Sequence, residues 1–385
     1  MYNRNNCYSI ICEWLNKTFF ECLGGINKMK LMKRIIAVVL VACTAISLTA
    51  CQDTTWAYNY EGKQVSSGLY LANLMTAYAQ ARTHEDIKED VKDIFKQTLD
   101  DKPAKQWIID EAKEQCDRYI AIENKFDELK LSLTDKDMDV IEQSTKSGWD
   151  NLSAMYEKNG IGENTYKLMM TNGRKQQLIF NKYYDIGGLE EVKNENLLVH
   201  FKENFASVNI AQIPLKTGDN LTDADKAKNK ELEAKAQEWV KLINAGTKTM
   251  NEIADTAYHF ANDTQHDSKN TDDVIPKDEE SKSIIKKDST SLSEKVMKAL
   301  FNDVKPDGDA VVIPDTNAIY ICKRYDVTKE EGKFDEMRST VLIDIKGKTF
   351  NTMVEQWSKD ASTKSEANEA SIKRYNPKKI NMETE

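Results

Sequence analysis

The chain has 385 residues, 30% of them charged, with 54 Lys and Arg against 63 Asp and Glu for a net charge of −9. That balance excludes a nucleic-acid binder, which needs basic patches to neutralise phosphates. The length exceeds what one hydrophobic core usually organises, so two or three lobes are expected, and the scarcity of Pro (6) and Gly (15) makes them helix-rich.

Residues 1–28 carry Cys7, Cys12 and Cys22 among aromatics and fit neither a targeting segment nor a domain. They read as an upstream extension of the reading frame, with translation starting at Met29 or Met32. Lys30, Lys33 and Arg34 then precede the uncharged run Ile35–Ala50. A basic start before an apolar stretch of this length is a secretory signal, assigned to 29–50, and it is short for a membrane span of roughly 20 residues. Leu48-Thr49-Ala50-Cys51 resembles the lipobox of bacterial lipoproteins, which implies a diacylated Cys51 at the start of the mature chain. Leu40-Val41-Ala42-Cys43 is a rival match inside the apolar run, and an uncleaved signal anchor is the alternative to cleavage. Residues 52–385 hold 48 Lys and Arg against 61 Asp and Glu, a net of −13. Only Cys116 and Cys322 remain there as thiols, expected buried and free, with an exterior disulfide as the alternative.

"TWAYNYEGKQ" predicts a hairpin turning at Glu61-Gly62, and Ser66 or Ser67 is placed to cap the helix that follows. Leu69, Leu71, Leu74, Met75 and Tyr78 give that helix a buried face. Ile87, Val91, Ile94, Phe95 and Leu99 predict a further helix over His84–Leu99. Pro103 suits the first turn of the next, which runs to about Leu131 with Trp107, Ile108, Ala112, Tyr119, Ile122 and Phe126 inward. Thr134 caps a helix bearing Met138, Ile141, Trp149, Leu152 and Tyr156, closed by Asn159-Gly160. Thr165–Asp185 is one more, Gly187-Gly188 a break, and Asn194–Phe205 a short helix.

From Ser207 the period changes. "SVNIAQIPL" alternates as a strand does. Residues 216–231 are predicted as a solvated loop, "LEAKAQEWVKLINAG" as a helix closed by Gly246, "MNEIADTAY" as a second helix, and 260–290 as a mobile loop. "SEKVMKALFNDV" is helical, and "DAVVIPDTNAIYICKRYDV" is a strand, a turn at Pro314-Asp315 and a second strand. Gly332–Ala361 is the last long helix. The fold class is mainly α with an inserted α+β domain. A discontinuous helical lobe, 51–206 closed by the C-terminal helix and tail at 328–385, brackets an insert at 207–327.

No phosphate loop, dinucleotide fingerprint, nucleophile elbow or zincin helix is present, and no cofactor is implied. His259 and His266 with Asp263 and Asp267 have the residue types of a metal site but lie in polar, irregular context, so no metal is assigned. Met and aromatic stripes on the helices are core-formers first; some are candidates to line a groove for apolar segments.

The order of parts resembles the PrsA/SurA foldases. The resemblance is carried by "YNYEGKQVSSGLYL", by "GIGENTYKLMM" and "YYDIGGLEEVKNENLLVHFKENF" leading into the insert, and by "TFNTMVEQWSKDASTKS" and "IKRYNPKKI" at the end. Within the insert, "SVNIAQIPL", "AKAQEWVKLINAGTKTMNEIADTAY", "KALFNDVKPDGDAV" and "NAIYICKR" are similar to successive parts of a parvulin domain. The resemblance implies two pocket histidines, whose positions hold Gln212 and Tyr320, and an acidic or thiol group matched to Asp263. It also implies apolar walls at Leu292 and Val296, with Phe301 in the core. The parvulin Gly-Gly-Asp-Leu-Gly stretch is missing.

The function that follows is a membrane-tethered, extracytoplasmic foldase binding unfolded or newly secreted proteins, with a degenerate prolyl isomerase domain of weak or absent activity. An envelope-anchored structural or solute-binding lipoprotein is the alternative. Oligomeric state is not encoded legibly, and a dimer is compatible with the sequence.

Overall fold

A computed structural model describes residues 56–88, 91–262, 264 and 275–382. The signal segment, the extension before it, Cys51, Asp263, His266 and Asp267 lie outside the described residues. The protein is mainly α with an α+β part. It divides into two compact units: the described residues through Glu191 together with those from Lys346 onward, and Val192–Ile345.

The first unit opens with a hairpin of β1 (Trp56–Tyr60) and β2 (Lys63–Ser66). Its two-residue turn places Glu61 at φ 51 and Gly62 at φ 99, the left-handed pair that a tight hairpin requires. Ser66 accepts the Leu69 N–H and starts α1 (Ser67–Thr83). This helix is apolar on two sides. Leu69, Tyr70 and Leu74 pack with Ile108, Ala112 and Ile120 of α2 (Ala104–Glu128), while Ala72 and Met75 face Met155 and Tyr156 of α3 (Asp135–Lys158) and Tyr166 of α4 (Glu163–Tyr184). A helix apolar around most of its circumference belongs at the centre of its lobe.

The described residues of His84–Leu99 do not form the predicted helix. Its apolar residues still turn inward, Ile94 and Leu99 being buried, but the chain runs through a 3-10 turn at Ile94–Lys96 into β3 (Thr98–Leu99), paired with β4 (Lys102–Pro103). Aspartates displace the helix here: the Asp93 carboxylate takes the Phe95 N–H, and Asp86 takes the Asp100 N–H at 3.0 Å. Pro103 precedes α2 rather than entering it. Thr134 and Asp137 form a reciprocal capping box at α3, and Gly160 at φ 80 ends it as expected. Met138 faces outward, 38% exposed.

In the second unit α5 (Asn194–Asn204) feeds β5 (Phe205–Pro214). Then come α6 (Asp223–Asn244), α7 (Met250–Asn262), β6 (Ser283–Lys286), α8 (Glu294–Asn302), β7 (Val311–Pro314) and β8 (Ala318–Tyr325). The loop expected at 216–231 is helical from Asp223, because Thr222 and Asp225 build a second capping box. The loop expected at 260–290 contains β6 and a 3-10 turn at Asp278–Ser281. The Asp278 carboxylate accepts the N–H groups of Met250 and Asn251, both at 2.9 Å, and so caps α7 from outside.

The sheet is antiparallel in the order β6-β5-β8-β7. Ala211, Ile213, Ile319 and Ile321 face α6 and α7; Ala206, Val208, Ile313, Tyr320 and Cys322 face Val296 and Leu300 of α8. At the outer edge the Asn244 amide pairs with both the N–H and C=O of Ala310, standing where a further strand would bond.

Helix α9 (Lys333–Ser362) contributes residues to both units. After it, β9 (Ser365–Ala367) pairs with β1, completing the order β2-β1-β9, and α10 (Glu369–Ile372) follows.

Candidate functional site

The α8-facing side of the sheet brings together the positions singled out in the insert. Gln212 of β5 lies directly opposite Tyr320 of β8, and Tyr320 directly opposite Ile313 of β7. Directly opposed side chains share a face with Cβ atoms about 5 Å apart, so the two positions form one row. Gln212 is exposed, whereas Tyr320 is buried against Val296, with Leu292 and Phe301 half-buried beside them. Phe301 lies under the Arg324 guanidinium, 4.9 Å from its ring centroid.

The electrostatics of the row are bland. Burial pushes the Tyr320 phenol up, and the nearby Asp315 carboxylate adds to the shift. Burial also pushes the Cys322 thiol up to about 12. Asp315, at the β7–β8 turn, is held below the usual carboxylate range by hydrogen bonds from the Ser293 side chain and the Thr316 backbone. Near neutral pH the row therefore offers an amide, a neutral phenol and a neutral thiol, with one carboxylate at its end. These groups can hydrogen-bond a peptide amide, but none is poised as a general base. Asp315 and Ser293 were not singled out from the sequence; the Pro314-Asp315 turn was the available signal.

His259 hydrogen-bonds the Thr264 hydroxyl at 2.8 Å and lies 3.4 Å from Asp255. Among the described residues, His84, Asp86 and Asp100 form one group with metal-ligand atoms within 4.8 Å of one another. Its atoms are already engaged: His84 Nδ1 accepts the Asp86 N–H at 3.2 Å, and Asp100 accepts the Trp107 indole N–H at 2.8 Å. The group closes the 84–100 segment.

The first unit carries a different kind of surface. Met138 and Leu168 are 38% and 43% exposed on α3 and α4, and Ile186 and Leu189 are 70% and 59% exposed in the loop after α4. Next to that loop, Phe180 and Tyr184 pack edge-on against Phe350, and Tyr183 lies 6.1 Å from Trp357 between ring centroids. Tyr183, Met353 and Trp357 are half-buried.

No family model and no curated protein sequence matches the chain. Solved structures do. The foldase protein PrsA from Streptococcus pneumoniae is similar at 19% identity over 70% of this chain and 94% of that one, with a TM-score of 0.34. The foldase protein PrsA from Lactococcus lactis is similar at 15% identity over 82% and 96%, also at 0.34. The peptidylprolyl isomerase PrsA from Bacillus anthracis is similar at 15% over 65% and 96%, at 0.26. These neighbours are PrsA foldase structures. At TM-scores of this size the likeness carries no functional weight of its own. No described helix is long and apolar enough to cross a membrane.

Proposed function

We propose that this protein is an extracytoplasmic foldase, tethered to the membrane through lipid on Cys51, that holds unfolded secreted polypeptides and has little or no prolyl isomerase activity. The observation that carries the reading is the set of large apolar side chains left exposed on the first unit, Met138, Leu168, Ile186 and Leu189, the last two following the half-buried Tyr183 in the chain. Because these side chains are already partly covered, a client gains less than the roughly 1.5–3 kcal/mol of full burial for each one it covers. The freedom lost on association offsets much of that gain, leaving weak, reversible and sequence-tolerant binding, as holding requires. Met and aromatic side chains adapt to varied partners. By transiently covering exposed hydrophobic stretches, the surface limits aggregation of clients during their slow steps.

The row at Gln212 and Tyr320 is the remnant of a prolyl site on this reading. It supplies hydrogen-bonding groups and apolar walls without a titratable pair.

The test is suppression of aggregation of a chemically unfolded substrate by the purified chain near stoichiometric ratio. Protection that weakens when Ile186 and Leu189 are both changed to Ser, with melting unchanged, is the expected result. A chain that leaves aggregation untouched, or whose protection survives polar replacement of Met138, Leu168, Ile186 and Leu189 together, refutes the reading.

A further inference from the structure

The chain is acidic overall, yet residues 371–382, "SIKRYNPKKINM", carry Lys373, Arg374, Lys378 and Lys379 and no acidic residue. All four basic side chains are exposed. The fold fixes this segment beside the point where the chain enters its first strand. β9 pairs with β1, and the Asn368 side-chain amide donates to the Trp56 carbonyl at 2.9 Å while the Asn368 N–H donates to Ala57, also at 2.9 Å. Ser371 and Ser67 hydroxyls meet at 2.6 Å in the interior, and Tyr375 packs edge-on to Tyr70. Lys378 then lies over the Phe95 ring, and Asn381 exchanges hydrogen bonds with Asn159. The segment is thus a docked strap with its charges outward. Glu369 precedes it, 3.5 Å from Lys373, and Glu383 and Glu385 follow, outside the described residues.

Four residues, Gln52 to Thr55, separate Cys51 from Trp56, so the five steps between them reach about 17 Å when fully extended. A lipid on Cys51 therefore holds the Trp56 end of β1 within roughly that distance of the bilayer, and Asn368, hydrogen-bonded there, leads directly into the strap. We propose that the strap, residues 371–382, is a membrane-contact surface that binds anionic lipid headgroups beside the anchor. Lys and Arg near a negatively charged leaflet each favour binding about fivefold. Two acyl chains on Cys51 already hold the protein at the bilayer, so the strap's part is to orient the tethered chain through a second, electrostatic contact. The inference rests on the lipid-anchor reading for its geometry.

The experiment uses the full chain with Cys51→Ser, which cannot be acylated, and sedimentation with vesicles of phosphatidylcholine alone or with about a third phosphatidylglycerol. The expected result is binding at least tenfold tighter to the anionic vesicles and lost in high salt. It should weaken by up to about 600-fold when Lys373, Arg374, Lys378 and Lys379 are all changed to Gln, at about fivefold for each. These side chains are exposed, so an unchanged melting transition confirms that the variant is folded. No preference for anionic vesicles, or equal binding by the Gln variant, overturns the proposal; insertion through the apolar residues 35–50 alone would give that pattern. The readout needs neither acylation nor a client, so its failure is separate from failure of the anchor or of client holding.

Discussion

Two glycines inside helices of the first unit invite the same substitution with opposite results. At Gly148 in α3, an added Cβ would lie 2.0 Å from the Tyr166 hydroxyl oxygen and 2.7 Å from its Cζ. Tyr166 has little room to retreat. It is 1% exposed, and its ring sits 6.0 Å from Trp149 and 5.5 Å from Tyr156 between centroids. At Gly173 in α4 the same Cβ meets nothing within 4 Å. Replacing a helix-interior Gly by Ala favours the helix by about 1 kcal/mol, while overpacking a well-filled site costs about 1–3 kcal/mol. Gly173→Ala should therefore stabilise by about 1 kcal/mol. Gly148→Ala should destabilise by about 1–2 kcal/mol net, since contacts below 3 Å on a bracketed ring belong at the high end of that cost. Tyr166→Phe should be close to neutral alone, because the hydroxyl is buried without a hydrogen-bond partner. Combined with Gly148→Ala it should recover part of the loss. Urea unfolding followed by tryptophan fluorescence, with Trp149 next to the site, reads the shift in midpoint at constant slope. A Gly148→Ala protein as stable as wild type would refute the packing argument.

Four further outcomes are expected. Burial raises the Asp137 carboxyl, but hydrogen bonds from Thr134 and Arg174 outweigh it and hold the group below its usual value. Its contribution is thus present above about pH 4 and lost as pH falls through the lower folded value. Asp137→Asn should cost about 1–3 kcal/mol at pH 7 by replacing the charged acceptor of the half-buried Arg174 guanidinium with a neutral one, and should flatten the acid limb of stability; an unchanged acid limb speaks against the pair. Asp278→Ala should cost about 1 kcal/mol through loss of the α7 cap, seen as faster amide exchange at Met250 and Asn251. Prolyl-limited refolding of a model substrate should not be accelerated. A rate near that of an active parvulin, collapsing in Gln212→Ala or Tyr320→Phe, restores an enzyme. Cys51→Ser should release the protein or stall its processing, and a mature, membrane-bound Cys51→Ser protein removes Cys51 as the anchor.

The features legible in the sequence are those whose physics is local. The Glu61-Gly62 turn, the Ser66 cap, the Thr134 capping box and the Gly160 and Gly246 stops each depend on residues a few positions apart. So does the alternation that marked β5. Where one pattern suits two structures, sequence alone chose wrongly. The apolar spacing over His84–Leu99 fits a helix, but Asp86 reaching the Asp100 N–H and Trp107 bonding Asp100 favour a folded-back segment. β6 is short and half polar, and becomes a strand only because β5 offers it an edge.

Long-range pairing decided the rest. The sequence marks β5 and β8 as strands, but only their hydrogen-bonded register sets Gln212 opposite Tyr320. The α8-side packing then buries one and leaves the other in solvent. The basic strap was visible as composition from the outset, whereas its place beside Trp56 depends on β9 adding to β1. Propensity and capping act over a few residues and are written in the chain. Register, burial on a given face and the meeting of distant segments are set by which packing buries the most apolar area while satisfying the backbone, and that choice belongs to the whole fold.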